Sequence, residues 1–151
     1  MKTQQFYQLR KNFLSGILVI TMMLIIASCA TSESFLNSSV VPAATGKVKV
    51  KKDSNQNYAI NVKIADLAAV ERLQSSKQTY VVWMETEKGN TENLGQLKSS
   101  TGFMSKQHKA SLETTSPFKP VRIFVTAENE SNERYPDNLE ILTTGTFSNK
   151  E

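Results

Sequence analysis

The stretch that decides the fold is KVKVKKDSNQNYAINVKI, residues 47–64. Its first part, Lys47–Lys52, alternates basic and aliphatic residues, and Tyr58–Ile64 again places an apolar side chain at every second position. A period of two is typical of a β-strand with one buried face. The residues between the two parts, DSNQN, have the composition of a turn. The stretch therefore predicts a half-buried β-hairpin.

The chain beyond residue 64 continues in the same way. Thr79–Glu85 (TYVVWME) is apolar on both faces, which is typical of a central strand. Asn93–Leu97 contains a glycine, which predicts a bulge or a close approach of another backbone. Further strands are predicted at 109–114, 121–127 and 140–147, whereas 67–74 predicts at most one or two helical turns. About seven short strands separated by turns predict an all-β fold, an antiparallel β-sandwich over residues 47–147 with a tail at 148–151.

The first 28 residues have a different character. Lys2, Arg10 and Lys11 occur there without any acid, and Phe13–Ala27 is an uncharged, largely apolar run. A basic start, an apolar run and small residues at its end predict a secretory signal peptide over 1–28. The alternative, a transmembrane helix, needs roughly 20 consecutive apolar residues, which is more than this run offers.

The only cysteine of the chain follows this run, in the tetrapeptide Ile26-Ala27-Ser28-Cys29. The tetrapeptide resembles the lipobox of bacterial lipoproteins. The resemblance implies cleavage between Ser28 and Cys29, a diacylglyceryl group on the Cys29 sulfur, and acylation of its new amino group, for example with palmitate. A thiolate is the side-chain nucleophile best suited to such alkylation. The alternative is an inert cysteine buried in the signal helix, and a single cysteine excludes an intrachain disulfide.

The same resemblance has consequences for location and partners. It implies a lipid-anchored protein of the cell envelope, with membrane lipid and the lipoprotein-processing and sorting machinery as partners. The residue after Cys29 is Ala30 rather than Asp, which by this resemblance favours the outer membrane, facing the periplasm of a Gram-negative cell. Residues 29–46 are rich in Ser, Thr and Ala and predict the lipidated cysteine followed by a flexible tether. Two apolar pairs in the tether, Phe35-Leu36 and Val40-Val41, predict that its latter part docks on the domain.

The net charge of the chain depends on whether the signal is counted. The full chain has 18 basic and 14 acidic residues, and three of the basic residues but no acid precede Cys29, so the mature chain carries 15 − 14 = +1. This balance gives no support for nucleic-acid binding. The lysines of 47–52 have two interpretations, the solvated face of an edge strand or a contact with anionic lipid headgroups near the anchor.

Several strand segments resemble one known family. Tyr80-Val-Val-Trp83, Leu94-Gly95-Gln96-Leu97, Val125-Thr-Ala-Glu128, Pro136 and Thr144-Gly-Thr-Phe147 occur in the order found in the extracytoplasmic domain of anti-sigma-K factors. The resemblance covers about residues 46–147 and implies a β-sandwich. We expect no counterpart of the sigma-binding domain of that family, because about eleven residues before the apolar run are too few to fold. The resemblance therefore implies the domain and not the binding of a sigma factor.

The candidate chemical groups predict neither catalysis nor a bound cofactor. His108, the only histidine, follows a polar stretch and lacks a recognisable catalytic partner. The acids Glu128, Glu130 and Glu133 have the composition of a solvated loop, with weak Ca²⁺ binding as the alternative. The aromatic residues Tyr80, Trp83, Phe124 and Phe147 have strand spacing and predict a core, with an exposed carbohydrate platform as the alternative.

The sequence as a whole thus predicts a non-catalytic binding or structural module of the envelope, without metal, cofactor or catalytic residues. Its further partner is an envelope protein or a glycan. Two alternatives stay open. The first is an extracytoplasmic sensor or regulatory component related to anti-sigma-K factors. The second is a small envelope hydrolase that uses a pair of carboxylates, as glycosidases do.

Overall fold

A computed structural model describes residues 30–73, 77–101 and 108–147 of the chain. In these ranges the chain forms nine strands and one short 3-10 helix. The strands are β1 (Ala30–Ser34), β2 (Thr45–Lys52), β3 (Tyr58–Ala65), β4 (Thr79–Thr86), β5 (Thr91–Gln96), β6 (Lys98–Thr101), β7 (His108–Ser116), β8 (Pro120–Glu128) and β9 (Glu140–Thr143).

The strands form two antiparallel sheets. The five-stranded sheet has the order β1-β2-β3-β7-β6, and the four-stranded sheet has the order β5-β4-β8-β9. The chain crosses between them after β3, at Leu97 between β5 and β6, and at the turn between β7 and β8. The predicted all-β, antiparallel sandwich is confirmed.

The main core lies between the two sheets and follows the alternation in the sequence. In β3 the residues Ile60, Val62 and Ile64 are buried, while Lys63 between them is exposed. Burial of alternate aliphatic side chains contributes roughly 1.5–3 kcal/mol each and fixes the register, because a slip of one residue would expose them all. The core side chains of the two central strands of the other sheet are Tyr80, Val82, Met84, Ile123, Val125 and Ala127.

The seven strands predicted from the sequence are all present, and two more accompany them. β4 is central and buried on both faces, as its composition predicts. Gly95 has a φ of +120°, and the register between β4 and β5 shifts at Val82/Trp83, so the predicted bulge is confirmed. The possible helical turns at 67–74 are a single 3-10 turn at Val70–Arg72. The last strand ends earlier than predicted, with Thr144 making only an isolated bridge to Phe35.

The predicted flexible tether over residues 29–46 needs correction for residues 30–46. Ala30–Ser34 pairs with β2 as the edge strand of the five-stranded sheet, in the register Ala30↔Lys51 to Ser34↔Lys47. The predicted docking of the apolar residues is confirmed for Phe35 and Val41, which are buried together with Ala44. Ser and Thr are compatible with an edge strand, and burial of these apolar side chains offsets the entropy of ordering the segment.

The segment between β1 and β2 also ties the two sheets together. The Phe35 amide donates to the Gly46 carbonyl at 3.0 Å, and the next amide, of Leu36, donates to the Thr143 carbonyl at 2.8 Å. The Ser38 hydroxyl donates to the Ile141 carbonyl at 2.6 Å and accepts bonds from two backbone amides of its own loop. Residues 30–46 are therefore part of the folded domain.

Candidate functional site

The outer face of the four-stranded sheet carries a second, smaller apolar cluster. It consists of Val81, Trp83 and Phe124, which are 0%, 0% and 3% exposed and project away from the main core. β4 and β8 therefore bury side chains on both faces. An outer face buried to this extent needs a cover, and the β8–β9 loop, residues 129–139, provides it.

A chain of hydrogen bonds fastens this loop over the cluster. The Trp83 indole N–H donates to the Thr126 hydroxyl at 2.8 Å, and that hydroxyl donates to the Glu128 carboxylate. The same carboxylate oxygen accepts the backbone amide of Asp137 in the loop at 2.8 Å. Glu128 is only 3% exposed, so these bonds compensate for its burial.

Two further contacts hold the loop from its sides. The Asn93 side-chain amide on β5 donates to the carbonyls of Ser131 and Glu133 at 3.0 and 2.9 Å. Lys77 forms an ion pair with Asp137 at 2.7 Å, and this hydrogen bond lowers the pKa of the Asp137 carboxyl and raises the pKa of Lys77. The covered cluster is thus a second core.

This arrangement decides between the two interpretations of the aromatic residues. Tyr80, Trp83 and Phe124 are buried, and Phe147 packs against the main core at partial burial. The core interpretation is confirmed for the first three. A carbohydrate platform built from these rings is wrong, because stacking on a sugar needs an exposed ring face. Tyr135 on the covering loop is the most exposed large apolar side chain of the described residues, at 76%.

A charged row lies next to the second core. The Arg122 guanidinium bonds to Glu85 on β4 and to both carboxylate oxygens of Glu140 on β9, at 3.0 and 2.8 Å. It also stacks over the Phe124 ring at 4.7 Å from the ring centre. The hydrogen bond from Arg122 lowers the pKa of the Glu85 carboxyl, and the two carboxylates raise the pKa of the guanidinium.

In the Glu85–Arg122–Glu140 row, two carboxylates share one guanidinium. A glycosidase needs one carboxyl whose pKa is raised, so that it can donate a proton to the leaving group. At Glu85 the shift has the opposite direction, because the guanidinium stabilises the ionised form. The row links β4, β8 and β9 through ion pairs between Arg122 and the two carboxylates.

A pocket of about 240 Å³ opens at the end of the sandwich where the 3-10 turn lies, between Leu67–Glu71 and strands β4, β6 and β7. The Tyr80 hydroxyl at its wall donates to the Ala68 carbonyl at 3.1 Å, and burial raises its pKa to about 12. The Thr79 hydroxyl is buried without a hydrogen-bond partner among the described residues. The walls combine aliphatic residues with polar and charged ones, among them Glu71, Ser99 and Lys109.

The residues predicted to carry chemistry are scattered. Ser28 and Cys29 lie outside the described residues, and His108 is the first residue of β7. Of the three clustered acids, Glu128 is buried in the second core, whereas Glu130 and Glu133 belong to the covering loop. Over 30–73, 77–101 and 108–147, the structure contains no group of three or more His, Cys, Asp or Glu side chains that could hold a metal ion. The same ranges contain no helix long and apolar enough to cross a membrane.

The outer face of the five-stranded sheet is strongly basic. The register places Lys47 opposite Lys63, Lys63 opposite Ser111, and Ser111 opposite Lys98, so these lysines share one face. Three more exposed lysines, Lys49, Lys51 and Lys109, project from the same side. We call the whole set the lysine face: Lys47, Lys49, Lys51, Lys63, Lys98 and Lys109. Its one acid in the described residues is Glu113, which bonds to the neighbouring Asn61 side chain.

Sequence reasoning identified only half of this face. Lys47, Lys49 and Lys51 stand out as an alternating run, whereas Lys63, Lys98 and Lys109 occur singly in the sequence. The outward position of Lys63 follows from the alternation of β3. The order and register of β7 and β6 were needed to bring Lys98 and Lys109 to the same face.

These features define an all-β sandwich with a main core between its sheets, a second core on the covered outer face of one sheet and a basic outer face on the other. Comparisons with protein-family models, with curated proteins and with solved structures gave no match. The resemblance to the extracytoplasmic domain of anti-sigma-K factors stays a prediction from the sequence.

Proposed function

We propose that this chain is a lipid-anchored protein of the cell envelope, whose sandwich is a non-catalytic binding or structural module. The observation that supports it best is a juxtaposition in the chain. The lipobox-like tetrapeptide 26–29 is followed at once by the edge strand that begins at Ala30. Acylation of Cys29 would hold the folded domain at the membrane surface with no linker between them. Two or three acyl chains, at about 0.8 kcal/mol per buried CH₂, give stable attachment.

The test of the anchor is substitution of the acceptor sulfur. Cells are labelled with an alkyne analogue of palmitate, and the protein is followed through membrane fractionation. Wild-type protein is expected to carry the label and to sediment with outer membranes. Cys29→Ser is expected to lose the label and to retain its signal segment. Ser28→Ala, which keeps a small residue before the cleavage site, is the matched control and should mature like wild type. Unlabelled wild-type protein in the soluble fraction would contradict the proposal.

The non-catalytic part of the proposal rests on the charged row. Glu85 and Glu140 both bond to one guanidinium, and the lowered pKa of Glu85 disfavours a protonated general acid. Purified protein incubated with peptidoglycan is expected to release no soluble sugar. Hydrolysis that disappears in Glu85→Gln or Glu140→Gln, but persists in Glu113→Gln on the opposite sheet, would make the protein an enzyme.

A further inference from the structure

The lysine face is not explained by the protection of an exposed sheet edge. Lysines on an edge strand discourage pairing with other chains, and this was one interpretation of residues 47–52. In the structure β2 is not an edge, because β1 pairs with it along Lys47–Lys51. The edge strand β1 presents Ala30, Ser32 and Ser34 on that face and no lysine, and the other edge strand, β6, contributes only Lys98 of the six.

The lysines are also placed where they repel one another. Lys47 and Lys63 lie directly opposite across β2 and β3, an arrangement that destabilises a sheet when the charges are alike. The ion pairs of the described residues involve Lys77, Lys119 and Arg122, none of which belongs to the lysine face. Six like charges on one face, with Glu113 as their one acidic neighbour on that face in the described residues, are suited to a partner that brings many negative charges.

Four acidic residues lie on the opposite side, where Arg122 and Lys77 pair with three of them. Glu85, Glu128 and Glu140 project from the outer face of the four-stranded sheet, and Asp137 lies in the loop that covers it. The mature chain is nearly neutral as a whole, so the excess of positive charge is local to the lysine face. Such a local excess gives the domain a preferred orientation toward an anionic surface.

The position of the anchor brings the lysine face to one surface. Ala30, the residue that follows Cys29 in the sequence, pairs with Lys51 at one corner of this face. We propose that the five-stranded sheet lies face-on against a bilayer that contains anionic phospholipids, with the lysine face on the headgroups. This inference rests on the proposed anchoring at Cys29.

A face-on and an end-on orientation make different lysines approach the membrane. Two turns lie at the anchored end of the sandwich: the β2–β3 turn, residues 53–57, and the β4–β5 turn. Glu87 of the second turn pairs with Lys119, next to the end of β7. Lys51 lies opposite Ala59 of β3, and Lys109 lies opposite Ala65, six residues further along the same strand. At about 3.3 Å per residue, the two lysines are roughly 20 Å apart along the strand direction. That distance exceeds the Debye length of about 8 Å at physiological salt. End-on attachment would therefore leave Lys109 unaffected and bring Lys88 of the β4–β5 turn near the headgroups.

The experiment is lysine footprinting on the lipidated, mature protein. The protein is reconstituted in vesicles of phosphatidylcholine alone, or of phosphatidylcholine mixed with phosphatidylglycerol, and acetylated briefly. Mass spectrometry then gives the modification rate of each lysine. We expect Lys63, Lys98 and Lys109 to be protected several-fold in the anionic vesicles only, and the protection to disappear at about 1 M salt, where the Debye length is about 3 Å. Lys88 is expected to react equally in both vesicles.

A variant tests whether the face acts as a unit. In Lys63→Gln/Lys98→Gln/Lys109→Gln, the remaining Lys47 is expected to lose its protection, because the charge that holds the sheet down is halved. Lys88→Gln, the matched control, should leave Lys47 protected. Far-ultraviolet circular dichroism of each variant checks that the sandwich is intact.

The possible results separate this inference from the proposed function. Protein that carries no acyl chain and floats with neither vesicle overturns both. Protein that floats with both vesicles while its six lysines react equally in each overturns the face-on orientation alone, and protection of Lys88 instead of Lys109 establishes end-on attachment. Protection in intact cells but not in anionic vesicles would also overturn it, in favour of an acidic protein or glycan on this face.

Discussion

Trp83 shows how one residue can stabilise this domain from outside its main core. Its indole ring is fully buried between β8 and the covering loop, and its N–H is satisfied by the Thr126 hydroxyl at 2.8 Å. A ring of this size makes many close contacts that a smaller side chain cannot replace. It also starts the hydrogen-bond chain that reaches the loop through Glu128. Loss of the ring therefore removes both packing and the anchoring of the loop.

Trp83→Ala is accordingly expected to lower the free energy of unfolding by about 3–5 kcal/mol, a large part of the 5–15 kcal/mol typical of a domain. Tyr135→Ala is the control, because Tyr135 is 76% exposed and its loss should change stability by about 0.5 kcal/mol or less. Urea denaturation of both variants provides the measurement. Equal stability of Trp83→Ala and Tyr135→Ala would refute the second core.

Arg122 makes stability depend on pH through its carboxylate partners. The folded state lowers the pKa of Glu85, chiefly through the hydrogen bond from Arg122, and Lys77 lowers the pKa of Asp137 in the same way. A carboxyl whose pKa is lowered in the folded state stabilises the fold at pH values above its ordinary pKa, which is 4.5 for Glu85. This contribution is lost as the pH falls through the pKa of the folded state. The domain is expected to become less stable below about pH 4.5 for this reason.

Arg122→Met tests this dependence. At pH 7 the variant is expected to lose about 1–2 kcal/mol of its free energy of unfolding, because Glu85 and Glu140 then have no cation between them. This is the contribution of a charged hydrogen bond, reduced for solvent exposure. At pH 3 the loss should be smaller, because acid shifts Glu85 toward its neutral form, which gains less from the guanidinium. Urea midpoints at the two pH values, with Arg134→Met at an exposed position as control, measure the difference. An equal loss at both pH values would contradict the assignment.

At the scale of elements, β2 and β3 approach each other closely at Gly46. A Cβ atom added to Gly46 would lie 2.7 Å from the Lys63 carbonyl oxygen and 2.9 Å from a ring carbon of Phe35. Real Cβ atoms do not approach backbone oxygen this closely. The absence of a side chain at Gly46 therefore allows β3 and the Phe35 ring to pack against β2.

Gly46→Ala is expected to destabilise the domain by about 1–3 kcal/mol, as overpacking does. Gly145→Ala is the matched control, because a Cβ there meets no atom within 4 Å. Thermal unfolding of the two variants tests the contact. A Gly46→Ala variant as stable as the Gly145→Ala variant would show that β2 and β3 can separate without penalty.

The first strand decides where the domain begins. A chain cut at residue 47, the boundary predicted from the sequence, lacks β1 and the buried side chains of Phe35, Val41 and Ala44. Since a fully buried large apolar side chain contributes roughly 1.5–3 kcal/mol, we expect a chain of residues 30–147 to be several kcal/mol more stable than one of residues 47–147. Circular dichroism and urea denaturation of both chains provide the comparison. Equal stability of the two chains would support the interpretation of residues 30–46 as a flexible tether.

At the scale of the whole molecule, the two cores share β4 and β8 and are expected to unfold together. Trp83, the only tryptophan, reports on the second core by its fluorescence, whereas far-ultraviolet circular dichroism reports on both sheets. The two signals should follow one transition in urea, the usual behaviour of a small domain. A fluorescence change at lower urea would mean that the covering loop opens before the sandwich unfolds.

The sequence alone determined the class of the fold and its central elements. Alternation in 47–64 and 121–127 specifies strands with one face toward a core, and the doubly apolar Thr79–Glu85 specifies a central strand, because side-chain period and burial act locally along a strand. The same local logic located the glycine bulge at Gly95. The candidate lipid anchor at Cys29 likewise rests on a contiguous motif.

Only the tertiary structure decided how distant segments meet. Ala30–Ser34 is a strand because β2 offers it an edge, and nothing in its own composition outweighs the interpretation as a linker. Glu128 is a buried acceptor, rather than a solvated loop acid, because Thr126 and the Asp137 amide lie beside it. Lys98 and Lys109 join Lys47 and Lys63 because β6 and β7 pair with β3, and strand order depends on contacts between residues far apart in the chain.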